Sequence, residues 1–299
     1  MEAVQLTEAA YQLRGGSNAG LIVGAANGEA VLVDSGLDGD TAKKILRIIE
    51  RLGLRLSGVL ITHAHADHFG GAAMIRQRTG APVFAPALEA AVVANPVLEP
   101  LYLFSGAAPI AELRHKFTLA EPCPVDGIIA AGEAIIGSVS IRAIPAPGHA
   151  PNQMMIAGGG VCFVADACFA PEFLHKHGIP FYVDVRQTAA TLEGLAALDG
   201  QYGAFVPGHG AAVQTIAPWA AENAAHLAEI RAAVATALET SDQVGEITRT
   251  AADRLGVVIP NPVIYCLIQT TVLACLCALQ AEGRVEATVS DNRLTWRPG

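Results

Sequence analysis

The sequence predicts an α/β fold followed by a smaller helical part. Three observations predict it. Short apolar runs alternate with helix-period stretches from residue 19 to residue 85. Strand-length apolar runs return between 128 and 206. After Pro218 the composition shifts to alanine-rich, helix-forming sequence. That shift places a boundary near 217 and divides the chain into 1–217 and 218–299.

Residues 9–36 read as strands. Ala19–Val23 and Ala30–Val33 are apolar runs joined through Asn27-Gly28, a hairpin signal. Thr41 to Leu52 reads as an amphipathic helix, with Ile45, Ile48, Ile49 and Leu52 on one face and Lys43, Lys44, Arg47 and Arg51 elsewhere. Val59–Ile61 is a short buried strand, 72–79 a helix, and Val83–Ala85 another strand. Residues 95–127 carry five prolines and read as irregular, either a lid over a site or a short helix packed on the core. Val139–Ile144 alternates, and Gly158-Gly159-Gly160 joins two apolar runs as a hairpin. Thr188 to Leu198 is helical, and Ala204–Val206 is the last strand of this part.

The chain has 299 residues, 52% hydrophobic and 16% charged, enough apolar sequence to bury a sizeable core. The net charge is −9 with four lysines, which disfavours a nucleic-acid partner. Met1–Gln5 shows no basic region leading into an apolar core, so no signal peptide is expected. The six cysteines show no zinc-knuckle spacing and read as buried, reduced thiols. Together these features predict a cytoplasmic protein. The apolar run Val263–Leu279 contains Gln269, Thr270 and Thr271 and falls short of the ~20 residues of a membrane span. It is expected to be a buried or interface helix.

The stretch Thr62-His63-Ala64-His65-Ala66-Asp67-His68-Phe69-Gly70-Gly71 organises the rest. It places three of the nine histidines and an aspartate within six positions, on the turn between a strand end and a helix start. Imidazole and carboxylate together suit zinc and similar divalent ions. Three further candidates each end an apolar strand: His149 after Ile144–Gly148, Asp166 after Val161–Ala165, and His209 after Phe205–Gly208.

The HxHxDH motif and these three later residues, in this order and context, resemble the metallo-β-lactamase-fold superfamily across roughly residues 10–215. The resemblance implies a four-layer αβ/βα sandwich and two metal ions, with zinc expected and iron or manganese as alternatives. His63, His65 and His149 would hold one ion, and Asp67, His68 and His209 the other. Asp166 would bridge them. A water between two such ions is acidified towards hydroxide at neutral pH. Asp67 would also relay a proton. Asp34, at the end of an early strand, matches a family position expected to orient a ligand, with a plain turn or cap aspartate as the other reading. His175 and His177 either line the pocket or lie on an exposed loop, and His115 and His226 read as surface residues.

Asp166 stands where true β-lactamases carry cysteine or serine, which argues against antibiotic hydrolysis. About forty residues separate it from His209, too few for the inserted domain of the ribonuclease J branch. Ala167-Cys168-Phe169 departs from the stretch that follows the bridging aspartate in glyoxalase II. His65 excludes the flavodiiron branch. Three classes stay open: a dinuclear hydrolase of a small ester, thioester or lactone; a nuclease or phosphodiesterase with an RNA-binding tail; and a mononuclear iron oxygenase resembling persulfide dioxygenases, which would use His63, His149 and Asp166 only.

In the tail, helices are expected at 219–239, 243–255 and 263–282, then a hairpin around Ser290-Asp291-Asn292. Helices followed by such a wing resemble a winged helix. Six arginines stand against nine acids, poor for a nucleic-acid reader. The apolar face of the last helix must be covered by the main domain, by other tail helices or by a second chain, and a homodimer is expected.

Overall fold

The computed structural model describes residues 1–26 and 28–299; the Asn27-Gly28 turn expected from the sequence therefore lies partly outside the described residues. The first half builds a seven-stranded sheet in simple order: β1 (Glu2–Thr7), β2 (Ala10–Arg14), β3 (Ala19–Val23), β4 (Glu29–Val33), β5 (Arg55–Leu60), β6 (Val83–Ala85) and β7 (Gly127–Ile128). Pairing is antiparallel up to β4 and parallel from β4 to β7. The parallel part needs crossovers, and helices supply them. They are α1 (Gly39–Arg51), α2 (Ala66–Phe69), α3 (Ala72–Thr79), α4 (Ala87–Ala94) and α5 (Leu98–Leu103). α1 starts where the Asp38 side chain accepts from the Thr41 amide at 3.0 Å.

The second sheet runs in the order β12-β11-β10-β9-β8: β8 (Gly132–Ile136), β9 (Val139–Pro145), β10 (Met154–Gly158), β11 (Val161–Ala165) and β12 (Ala204–Pro207). Gly159 and Gly160, both at positive φ, close the β10–β11 hairpin, as expected. Between β11 and β12 lie α6 (Pro171–His177) and α7 (Val185–Ala196).

The inner faces of the two sheets meet in one core that includes Ile22, Val31 and Leu60 from the first and Ile141, Ile156 and Phe163 from the second. Burying each such side chain contributes about 1.5–3 kcal/mol. The outer face of the first sheet packs on α1 and α3 through Ile45, Ile49 and Ile75. The outer face of the second packs on α7 through Leu192 and Leu195. Helix, sheet, sheet and helix are the four layers expected. This double cover explains why β4 and β11 read as continuous apolar runs, while β9 alternates because its second face is exposed.

The tail comprises α8 (Ala217–Ala237), α9 (Val244–Arg254), α10 (Pro262–Ala281) and the hairpin β13 (Val285–Ser290) with β14 (Arg293–Pro298), close to the expected limits. Its apolar core continues into residues before 217, through Phe169, Leu174, Ile179, Tyr182 and Val185. The Thr271 hydroxyl donates to the Pro180 carbonyl and accepts from the Tyr182 amide, fixing α10 to the strand-bearing part. The buried face of α10 is thus covered within the chain, without calling on a second copy.

Several details differ from the sequence reading. At 20 residues α10 does reach the length and apolarity of a membrane span. Half of it is buried against this chain's own side chains, as in a core helix. Residues 95–127 are not wholly irregular, because α5 and a 3-10 turn at Ala111–Leu113 break them up. The segment after Asp166 is helical, since Pro171 begins α6 and Gly178 at positive φ ends it. Five cysteines are buried as expected, but Cys277 is exposed.

Candidate metal centre

All seven predicted site residues converge at the strand ends of the two sheets. β5 leads into His63, His65, Asp67 and His68; β9 leads to His149, β11 to Asp166 and β12 to His209. In three overlapping sets, one ligand atom from each residue lies within 4.8 Å of the others: His63, His65 and His149; His63, His68 and Asp166; Asp67, His68 and His209. Asp166 stands between the outer two sets. Its Oδ2 is 3.5 Å from His149 Nε2 and 3.6 Å from His209 Nε2, and its Oδ1 is 3.5 Å from His68 Nε2.

Four of the five imidazoles are oriented through one nitrogen, leaving the other for the centre. His68 Nδ1 lies 2.8 Å from Asp34 Oδ2, His149 Nδ1 donates to the Phe181 carbonyl at 2.8 Å, and His209 Nδ1 donates to the Gly16 carbonyl at 2.8 Å. His63 Nδ1 is 3.1 Å from the Thr62 hydroxyl. Metal-binding histidines are typically oriented in this way. Buried His63 Nε2, His68 Nε2 and Asp166 Oδ1 have no hydrogen-bond partner among the described residues. Three orphaned atoms of this kind in one place are costly for a folded chain. They fit divalent cations, which satisfy all of them at once.

Asp34 is no plain turn aspartate. Its carboxylate accepts from the Thr62 amide and the Thr62 hydroxyl, both at 2.8 Å, as well as from His68. Holding these partners puts its backbone at φ +58, unusual for a residue with a side chain. Ala165, just before Asp166, is at φ +49, beside an irregularity in the β11–β12 ladder. A Cβ on Gly208 would come within 1.8 Å of Asp166 Oδ1, so only glycine admits that close approach.

The two ends of the cluster differ electrostatically. Burial pushes His63, His65 and His149 below the usual histidine range, and for His63 and His65 the neighbouring histidines add to it. Burial also opposes charge on His68, but the carboxylates of Asp67, Asp166 and Asp34 outweigh it and raise its pKa well above the ordinary value. His209 follows the same balance, with Asp166 dominant, and rises to about 9. Burial would raise Asp166, yet His209 and His68 hold it well below the usual carboxylate range. In the metal-free chain one end is therefore neutral imidazole and the other an imidazolium–carboxylate cluster.

Beside the centre opens a cavity of about 610 Å³, a size suited to a small molecule. His65, Asp67, His149, Asp166 and His209 form one wall. Glu99, Glu112, His115, Phe117, Thr118 and Phe181, with Asn261, Val263, Ile264 and Leu267 at the start of α10, form the rest. The segment 95–127 and the tail thus both reach the site. His115, expected at the surface, is half-buried and lines the cavity, because the loop carrying it folds inward. His226 is also half-buried, bonded to the Gly178 carbonyl. His175 pairs with Glu222 on the surface, and His177 packs on Phe173; neither lines the cavity.

Sequence reasoning missed three supports. Buried Glu89 accepts from the Ala64 amide at 2.9 Å and the Asn152 amide at 2.8 Å, tying the motif turn to the His149 loop. Its only sequence signal is a lone acid in the apolar helix α4. Ser17 donates to the Asp67 carbonyl, and Asn18 to the carbonyls of Pro207 and Gly210. Also missed was Glu99, a buried acid on the cavity wall that bonds to none of these.

Comparison with known proteins identifies the family. A profile described as the metallo-beta-lactamase superfamily matches residues 13–209, from β2 to the last histidine of the cluster. The chain belongs to this superfamily. A hydroxyacylglutathione hydrolase from Anaeromyxobacter dehalogenans is 30% identical over 222 residues, covering 72% of each chain. One from Albidiferax ferrireducens is 38% identical over 92 residues, covering 31% of this chain and 32% of that protein. The match to a third, from Methylobacillus flagellatus, spans 44% of its length. The chain thus spans less than half the length of two of these curated superfamily relatives. Among solved structures, a metallo-beta-lactamase family protein from Thermus thermophilus superposes with a TM-score of 0.73 at 20% identity, covering 99% of this chain and 100% of that one. At that identity the likeness is one of fold.

Proposed function

We propose that this metallo-beta-lactamase superfamily chain is a metal-dependent hydrolase of a small ester, thioester or lactone. The observation that carries the reading is the convergence of seven ligand groups, with three buried atoms left without partners, on the wall of a mostly apolar cavity. His63, His65 and His149 would hold one divalent ion and Asp67, His68 and His209 a second, with Asp166 between them. When bound, such a pair supplies Lewis acidity for a substrate oxygen and an acidified water as nucleophile.

The chain's own residues do the rest. Asp34, Thr62, and the carbonyls of Phe181 and Gly16 keep the imidazoles aimed at the centre. Asp67, its side chain 28% exposed on the cavity wall, turns Oδ2 towards His68 and His209 and would accept a proton from water on its other oxygen. Phe117, Phe181 and Leu267 offer apolar surface that would hold an apolar part of the substrate. The tail closes the cavity in this reading; its acidic balance disfavours a role in reading nucleic acid.

The test is a turnover screen of metal-reconstituted protein across lactones, thioesters, esters and phosphodiesters. Hydrolysis of carboxylic substrates with no phosphodiesterase activity is expected. Phosphodiester cleavage alone would contradict the reading.

A further inference from the structure

The cavity contains one buried acid that the hydrolytic chemistry leaves unused. Glu99, in α5, is 5% exposed and lines the cavity. Its carboxyl makes no hydrogen bond or ion pair among the described residues, and burial, with the charges of Asp67 and Glu89, disfavours its ionised form. Of the other buried acids near the centre, Asp34 is satisfied by three donors and Glu89 by two backbone amides, and Asp166 belongs to the candidate metal centre. An unmatched buried carboxyl is costly, and a ligand that hydrogen-bonds it recovers that cost on binding.

The rest of the wall narrows the ligand's charge. Among the described residues no lysine or arginine lines the cavity, and Glu112 adds a second glutamate. Lys116, next to two lining residues, is paired with Asp38 at 3.2 Å. Anionic ligands such as glutathione conjugates need cationic partners for their carboxylates. Here they would find no cation, only Glu112 and the Glu99 carboxyl, which burial holds towards its neutral form. Val263, Ile264 and Leu267 instead offer an apolar surface.

We propose that the cavity takes an uncharged ester, lactone or thioester, one N–H or O–H group of which hydrogen-bonds Glu99 while its apolar acyl chain lies along the start of α10. This substrate class rests on the hydrolase reading.

The test uses metal-loaded full-length protein and three hexanoyl thioesters: of N-acetylcysteamine, of its N-methylated amide, and of glutathione. The N–H compound should exceed both others in kcat/KM by at least tenfold, mainly through KM. Glu99→Leu should bring the ratio of the N–H to the N-methyl compound near one, and Glu99→Gln, which still accepts and donates, should retain most of it. A better glutathione substrate, or a ratio untouched by Glu99→Leu, overturns the proposal. Calorimetric titration with the S-hexyl thioethers of the same thiols reads the preference without turnover. Tighter binding of the N–H thioether by protein that hydrolyses none of the thioesters, and no ester or lactone either, supports the cavity assignment and sinks the hydrolase reading. Tighter binding of S-hexylglutathione sinks the cavity assignment itself.

Discussion

One wall of the cavity is built from the 63–68 turn, His149, Asp166 and His209; the facing wall comes from residues 99–118 and the first turns of α10. The two are held differently. On the metal-binding wall, oriented imidazoles are fixed by Asp34, Thr62, Phe181 and Gly16, and Glu89 ties two of the loops together. On the facing wall the apolar side chains of Phe117, Val263, Ile264 and Leu267 are interspersed with polar ones, and its buried acid has no partner among the described residues. Directional bonds set geometry to fractions of an ångström, whereas apolar contacts set shape and tolerate exchange. In the proposed reading, the reaction type resides in the strand ends and the substrate choice in the segments laid over them.

The sharpest way to break this comparison is to remove the residue shared by both candidate metal positions. Asp166→Ala should abolish loading of at least one ion and lower kcat by more than ~10²-fold, beyond the usual effect of a supporting residue. The fold should persist, as read by far-ultraviolet circular dichroism. Normal metal content and turnover would show that Asp166 does not join the two positions.

Next in size is Asp34→Ala, which strands three buried donors without touching the centre directly. Metal affinity should fall about 10–100-fold. Stability of the metal-free chain should fall by roughly 2–4 kcal/mol, measured by urea unfolding. An unchanged affinity would mean that the orienting bond to His68 does not matter.

A smaller, graded effect is expected with pH. Free His68 and His209 carry raised pKa values, the latter about 9, so at neutral pH they hold protons that a metal must displace. Metal uptake should release protons, and apparent affinity should rise with pH towards about 9, then level off. Titration at pH 6.5, 7.5 and 8.5 in buffers of different ionisation enthalpy checks this. Affinity that falls across that range would contradict the assignment.

The least effect on chemistry, and the cleanest on choice, is expected from Leu267→Ala on the facing wall. Metal content should be unchanged. KM for a hexanoyl substrate should rise about tenfold, while an acetyl substrate is little affected. Equal losses on both would show that α10 acts on stability rather than on binding.

The same contrast explains what could be read from the sequence. His63 to His68 lie within six positions, and His149, Asp166 and His209 each end an apolar run next to glycine, so chemistry and local pattern coincide. The α/β organisation was legible in the apolar runs alternating with helix-period stretches, whereas the four layers followed only from the resemblance that the motif carries. Glu99 and His115 gave no such signal. Their roles depend on how residues 95–127 fold back over the sheet ends, a tertiary matter that prolines in the sequence mark only as irregular. Glu89 was hidden in the same way, since nothing local says which two amides an acid in α4 will meet. The contribution of α10 to the cavity joins positions about two hundred residues apart from the motif, beyond the reach of any periodicity.

The central claim is a two-ion centre, and anomalous diffraction from metal-loaded crystals tests it most directly. Two anomalous peaks per chain are expected, one bordered by His63, His65 and His149, the other by Asp67, His68 and His209, with Asp166 between them. A single peak held by His63, His149 and Asp166, with His65 and His209 turned away, would contradict the account and point to one-metal oxygen chemistry instead.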